Sequence, residues 1–256
     1  MTPQIRYTIR VALTVALGGF LMGFDASVIS GVVTFIEPEF QLSNIQLGWA
    51  VASLTLTATL AMMVSGPLSD RFGRRTVLKW AAVLFSLSAV ASAFAPDYLT
   101  LVAARMLGGL GVGAALIIAP MYIAELAAPD VRGRMVSFNQ LNIVIGISAA
   151  FFSNYLILHL GQSDLAWAEA LRLGEWNWRW MLGVEGFPAL AFLVMVLFIP
   201  RSPRWLVVKR GKIAEAATVL RKLDPDTAVA ELEAIKASKE AEVPGEGVSL
   251  FATRYR

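Results

Sequence analysis

A chain of 256 residues that is 57% hydrophobic and 16% charged, with a mean hydropathy of +0.63, has too little polar material to coat a water-soluble globule of its size. The pI near 9.3 does not imply nucleic acid, because the net charge of +3 sits in loops between apolar runs, where cytoplasmic retention of Lys- and Arg-rich loops accounts for it. The absence of cysteine excludes disulfides and thiolate metal sites.

The first apolar run, Val11 to Phe35, follows Arg6 and Arg10 but is long and lacks a small-residue cleavage site, so it reads as a retained span. Glu37 and Glu39 follow it with no positive residue before Arg71, which places that loop outside. Leu47 to Leu68 returns inward, with Trp49 at the outer boundary, and Val77 to Ala95 goes out again, with Trp80 near the inner one. Between them lies Gly66-Pro67-Leu68-Ser69-Asp70-Arg71-Phe72-Gly73-Arg74-Arg75. Here Gly66 is expected to permit close backbone approach and Gly73 a turn, while Asp70 faces a fixed positive cluster of Arg71, Arg74 and Arg75.

After Pro96-Asp97-Tyr98, Leu99 to Leu126 runs inward to a loop carrying Arg132 and Arg134, and Met135 to Ile157 runs outward. An outer loop from Leu158 to Asn177, which includes the single histidine, His159, leads to the sixth span, Trp178 to Ile199. Each run has roughly 20 or more residues, enough at about 1.5 Å per residue to cross about 30 Å of hydrocarbon. Both chain ends then lie in the cytoplasm. The expected fold is an all-α membrane protein with a six-helix bundle over 1–200. Cytoplasmic helices follow over 201–242, at Ala214 to Leu223 and Ala228 to Lys239, and a linker over 243–256.

Charges inside spans are costly and point to function. Counting residues from the outer ends puts Asp25 at a depth of about 12 to 15 Å, Arg105 at about 9 Å and Glu185 at roughly 10 Å. One guanidinium cannot fully neutralise two carboxylates, so one of them is expected to hold a proton part of the time. That is either a proton-coupling device or a static ion network pinning three helices.

On the fifth span Gln140, Ile143 and Ile147 share a helical face, with Asn139 and Asn142 directed elsewhere. An amide above an apolar strip suits a hydroxylated solute, and equally suits interhelical hydrogen bonding. Gly108, Gly109, Gly111 and Gly113 on the fourth span fit close helix packing better than ligand contact. Glu125 and Arg132 flank a short inner turn near Asp70, Arg71, Arg74 and Arg75; these charges either latch helix ends in one conformation or merely set topology. The carboxylates show no metal-ligand spacing and no nucleophile has a base beside it, so neither an enzyme nor a cofactor is expected.

These motifs resemble the sugar porter family of the major facilitator superfamily over nearly everything from Val11 to about Leu223. The resemblance rests on Gly66 to Arg75, on Arg105 with Gly108, Gly109 and Gly111, on Pro120-Met-Tyr-Ile-Ala-Glu125 through Arg132-Gly133, and on Pro200 with Ser202-Pro203-Arg204-Trp205-Leu206. It implies the N-terminal half of a fold built from 3+3 inverted repeats, and uptake of a monosaccharide or polyol with a proton by alternating access. On that likeness Asp25, Arg105 and Glu185 couple the proton and Gln140, Ile143 and Ile147 contact the sugar. Gly66, Asp70, Arg71, Gly73, Arg74, Arg75, Glu125 and Arg132 form the cytoplasmic latch. Arg201 departs from the Glu usual there, and Met22 replaces a frequent aromatic.

Six spans make one half of such a carrier, and a lone half would expose polar groups to lipid at a cost of several kcal/mol. The expected partners are therefore the bilayer, a sugar or polyol, a proton, and a second six-helix half or a second copy. The alternative is a non-transporting regulatory subunit that associates with a full-length carrier.

Overall fold

The computed structural model describes residues 3–126 and 132–241, with side chains from Val11 onward except at 12, 132, 240 and 241. In chain order the helices are α1 (Pro3–Glu39), α2 (Asn44–Phe72), α3 (Arg74–Ala93), α4 (Tyr98–Leu126), α5 (Arg132–Gly161), α6 (Ala166–Ala170), α7 (Asn177–Gly183), α8 (Gly186–Val196), α9 (Pro203–Val208), α10 (Ile213–Leu223) and α11 (Ala228–Ala241). Six stretches are long and apolar enough to cross a membrane: α1 to α5, and α7 with α8 taken together. His159 falls in the last turn of α5, exposed and stacked on Tyr155, and not in a loop. The expected linker over 243–256 lies outside the described residues.

The sixth span is not one continuous helix. It breaks at Val184 and Glu185, between Gly183 and Gly186. Pro188 explains the break, because its ring has no N–H for the Val184 carbonyl and crowds it. Phe187 and Ala189 bond back to Val184 and Glu185 at 3.2 and 3.0 Å. Hydropathy alone cannot register such an interruption.

Pairing follows glycine. α1 packs along α5, and α2 along α4. Exchanging the first three spans for the second three maps one pair onto the other, as a 3+3 repeat requires. Each interface carries two glycines one turn apart on the repeat's first helix. A Cβ on Gly19 would come within 2.8 Å of the Asn139 side chain and one on Gly23 within 2.0 Å of the Ile143 carbonyl. The equivalent distances are 2.1 Å from Gly109 to Thr57 Oγ1 and 2.1 Å from Gly113 to the Ala58 carbonyl. Backbones this close gain van der Waals contact that larger side chains would forbid.

α4 is the most buried span and α5 the least, 61% and 22% of their apolar windows. α4 is thus the centre of the bundle and α5 an edge. Two apolar cores result. One contains Phe85, Ile118, Tyr122 and Phe192 toward the arginine-rich end; the other contains Val28, Ile36, Trp178 and Met181 toward the opposite end. Along α1, α4 and the sixth span, the seam between the cores falls at Asp25, Arg105 and Glu185.

Both ends are tied. Arg179 pairs with Glu39 at 2.8 Å and lies 4.1 Å over the Trp178 ring, joining α7 to the end of α1. At the other end Trp205, Leu206, Val207 and Ala216 pack α9 against α10, and the Trp205 indole donates to the Asp70 carbonyl at 2.9 Å.

Candidate functional site: a buried charge layer and an ion-paired corner

Asp25 comes from α1, Arg105 from α4, and Glu185 from the break between α7 and α8; their residues are 2%, 1% and 3% exposed. Arg105 donates from Nη1 to Asp25 Oδ1 and from Nη2 to the Asp25 carbonyl, both at 3.3 Å. Glu185 lies within electrostatic reach of both, yet among the described residues it has no ion pair. Asp25 Oδ2, Arg105 Nε and Glu185 Oε1 are buried without a hydrogen-bond partner. Of the three charges expected at similar heights, two are in contact and the third lies beside them.

Gly108 makes room for this arrangement. A Cβ there would lie 2.7 Å from Asp25 Oδ2 and 2.6 Å from Ser88 Oγ. Ser88 of α3 is buried beside the layer. Sequence reasoning missed it, since a serine in a span gives no signal of its own, and read Gly108 as fitting close helix packing better than ligand contact.

Gln140 sits elsewhere. It is exposed on α5, with Ile143 and Ile147 half-buried. The buried amides of α5 are Asn139 and Asn154. Asn154 donates to the Val28 carbonyl at 2.9 Å, and both side-chain oxygens lack partners. A cleft of about 310 Å³ opens between α2, α3 and α4, but Leu60, Val64, Trp80, Leu84 and Leu110 dominate its wall. Such a surface suits no hydroxylated solute.

At the arginine-rich end Arg74 holds two carboxylates, Asp70 at 2.7 Å and Glu125 at 3.0 Å, and also donates to the Ser69 carbonyl at 3.1 Å. The residues expected beside it take other partners. Arg71 lies 5.2 Å over the Phe72 ring, while Arg75 donates to the Leu197 carbonyl. Gly73, at φ +93°, closes α2 and opens α3; a Cβ there would also meet the Trp205 ring at 3.1 Å. Gly66 serves differently from expectation, for a Cβ there would meet nothing within 4 Å. It precedes Pro67 inside α2, where the proline ring crowds any Cβ-bearing predecessor in helical conformation. The Arg132 side chain lies outside the described residues. Arg201 pairs with Glu215 of α10 at 3.2 Å.

Residues 11–255 match the family model described as Sugar (and other) transporter. The chain belongs to the sugar transporter family. Among its sugar-transporter relatives, the arabinose-proton symporter of Bacillus subtilis is 38% identical over 98% of this chain and 52% of its own length. The D-xylose-proton symporter of Escherichia coli is 39% identical over 86% of this chain and 49% of its own length.

The solved structure of a major facilitator superfamily proton:xylose symporter bound to 6-bromo-6-deoxy-D-glucose superposes with a TM-score of 0.85 at 36% identity, over 95% of this chain and 55% of that one. An inward-open xylose transporter from Escherichia coli gives 0.79 at 37%, over 94% and 58%. This sugar-transporter chain is therefore a multi-pass membrane protein with one half of the major facilitator fold. It spans about half the length of the curated relatives it matches.

Proposed function

We propose that this chain forms one half of a proton-coupled carrier for a monosaccharide or polyol, working by alternating access with a second six-helix unit, either a separate half or another copy. Both termini are assigned to the cytoplasm, since the arginine-rich turn between α2 and α3 belongs on the positive side. The observation that carries the reading is the buried Arg105–Asp25 pair with Glu185 beside it. One guanidinium balances one carboxylate, so charge balance in an apolar seam calls for a proton on the other. Asp25, Arg105 and Glu185 are assigned to the coupled proton.

Gln140 is assigned to the sugar. Its exposed amide above Ile143 and Ile147 offers two donors and an acceptor to a hydroxylated ligand enclosed between this half and the other. Arg74 with Asp70 and Glu125 is assigned to a latch that holds the cytoplasmic ends together in one state and releases them in the other, in company with Arg71, Gly73, Arg75 and Arg132. Gly66 shapes the end of α2 that carries the latch.

The test is uptake into vesicles under an imposed proton gradient, with a panel of labelled pentoses, hexoses and polyols, for the chain alone and for its assemblies. Asp25→Asn is expected to abolish concentrative uptake while sparing exchange; unchanged accumulation refutes the proton assignment. Gln140→Ala is expected to weaken sugar binding by about 1 to 3 kcal/mol, and unchanged affinity returns Gln140 to helix packing. No uptake in any assembly, with binding to a full-length carrier, would instead make the chain a non-transporting subunit.

A further inference from the structure

A second concentration of charge lies at the arginine-rich end, on the α3–α8 side and outside the Arg74 cluster. Arg75 and Lys79 are one turn apart on α3, and Lys79 is within electrostatic reach of both Arg75 and Arg201. Arg75 is drawn to this corner by its bond to the Leu197 carbonyl, and its Nε is buried without a partner. The acidic group recorded here is Glu215, 3.2 Å from Arg201 and shared with Lys212 at 3.5 Å. Among the described residues one ion-paired carboxylate, that of Glu215, stands against Arg75, Lys79, Arg201 and Lys212 and leaves the corner net positive.

Beyond the corner, toward the middle of the span, the exposed faces of the two helices are apolar. Val83 and Val90, which continue the Lys79 stripe of α3, are 41% and 56% exposed. Leu190 and Val194 of α8 and Leu197 at its C-terminal cap are 57%, 47% and 46% exposed. A cationic corner at the end of an exposed apolar strip, in a helix pair that crosses a membrane, is complementary to one kind of molecule. That molecule has a negative head and hydrocarbon tails.

We propose that Arg75, Lys79 and Arg201 bind the phosphate headgroup of an anionic phospholipid in the leaflet at the arginine-rich end, with its acyl chains along the α3–α8 strip. Arginine and lysine supply charge-assisted hydrogen bonds to phosphate oxygens, and basic pockets between spans hold such headgroups electrostatically. The site depends on the chain crossing the bilayer and not on what it carries. It therefore stands or falls separately from sugar transport.

Native mass spectrometry of the delipidated protein, titrated with phosphatidylglycerol and with phosphatidylcholine of the same chains, tests this. The wild-type chain is expected to prefer phosphatidylglycerol, with the preference falling roughly fivefold per charge removed in Lys79→Gln and Arg201→Gln. Arg172→Gln, at the opposite end, is expected to leave it unchanged. Inorganic phosphate in large excess should not displace the lipid. An undiminished preference in the double variant, an equal loss in Arg172→Gln, or displacement by phosphate would each overturn the proposal. Should the double variant not stay monodisperse, Arg201→Gln carries the test alone, because its side chain is 48% exposed.

Discussion

Arg105 of α4 reaches Asp25 of α1 across 3.3 Å, with side chains 1% and 2% exposed. Breaking a buried pair by removing one partner costs about 3 to 5 kcal/mol, because the charge left behind keeps its desolvation penalty. Arg105→Met, which strands Asp25 and Glu185, is expected to lose that much in chemical unfolding. Adding Asp25→Asn should recover part of the loss. A double variant as unstable as the sum of its singles would show that the two residues do not interact.

The glycine interfaces are expected to be intolerant in proportion to the clash. Gly23→Ala and Gly113→Ala would place Cβ 2.0 and 2.1 Å from carbonyl oxygens of the partner helix, and each should cost about 1 to 3 kcal/mol or more by overpacking. Gly48→Ala meets nothing within 4 Å and should be neutral, or stabilise α2 by up to about 1 kcal/mol. Thermal midpoints in detergent would check the ordering.

Arg74 serves two carboxylates of unequal worth. The Asp70 side chain is 48% exposed and that of Glu125 is 9% exposed; a pair in solvent contributes little, while one shielded from water is screened less, and breaking it costs more. Glu125→Gln is therefore expected to loosen the corner more than Asp70→Asn. Hydrogen exchange at the ends of α2 and α4 would report it, and equal effects would contradict the ranking.

Asp97 caps α4. The Thr100 backbone N–H donates to its carboxylate at 2.9 Å, and holds it below the usual aspartate range. The folded value lies below the unfolded one, so the stabilisation is present above the unfolded value and is lost as pH falls through the folded one. Asp97→Ala should therefore lower the thermal midpoint at neutral pH and narrow its gap to wild type at strongly acidic pH. A gap independent of pH would place the effect elsewhere.

Legibility varied with the kind of information needed. The apolar runs specified the helices because a span must satisfy its backbone internally, whatever surrounds it. The break at Glu185 had a local signal in Gly183 and Pro188, but an average over apolar residues passes over it. Residue counting set the heights of Asp25, Arg105 and Glu185 correctly enough to put them in one layer. Height carries no information about direction around the helix axis, so which carboxylate takes the guanidinium was beyond it.

The same limit separates Gln140 from Asn139. Adjacent residues on a helix point about 100° apart, and that rotation leaves one exposed and buries the other against Gly19. Composition and hydropathy determined that this chain crosses a bilayer, how often, and that its charges sit at similar heights along their spans, because those properties depend on each segment alone. Partner choice for Arg105, Arg74 and Arg75, and the room Gly108 leaves beside Asp25, were decided by how the helices rotate and approach one another. That depends on packing summed over all of them at once.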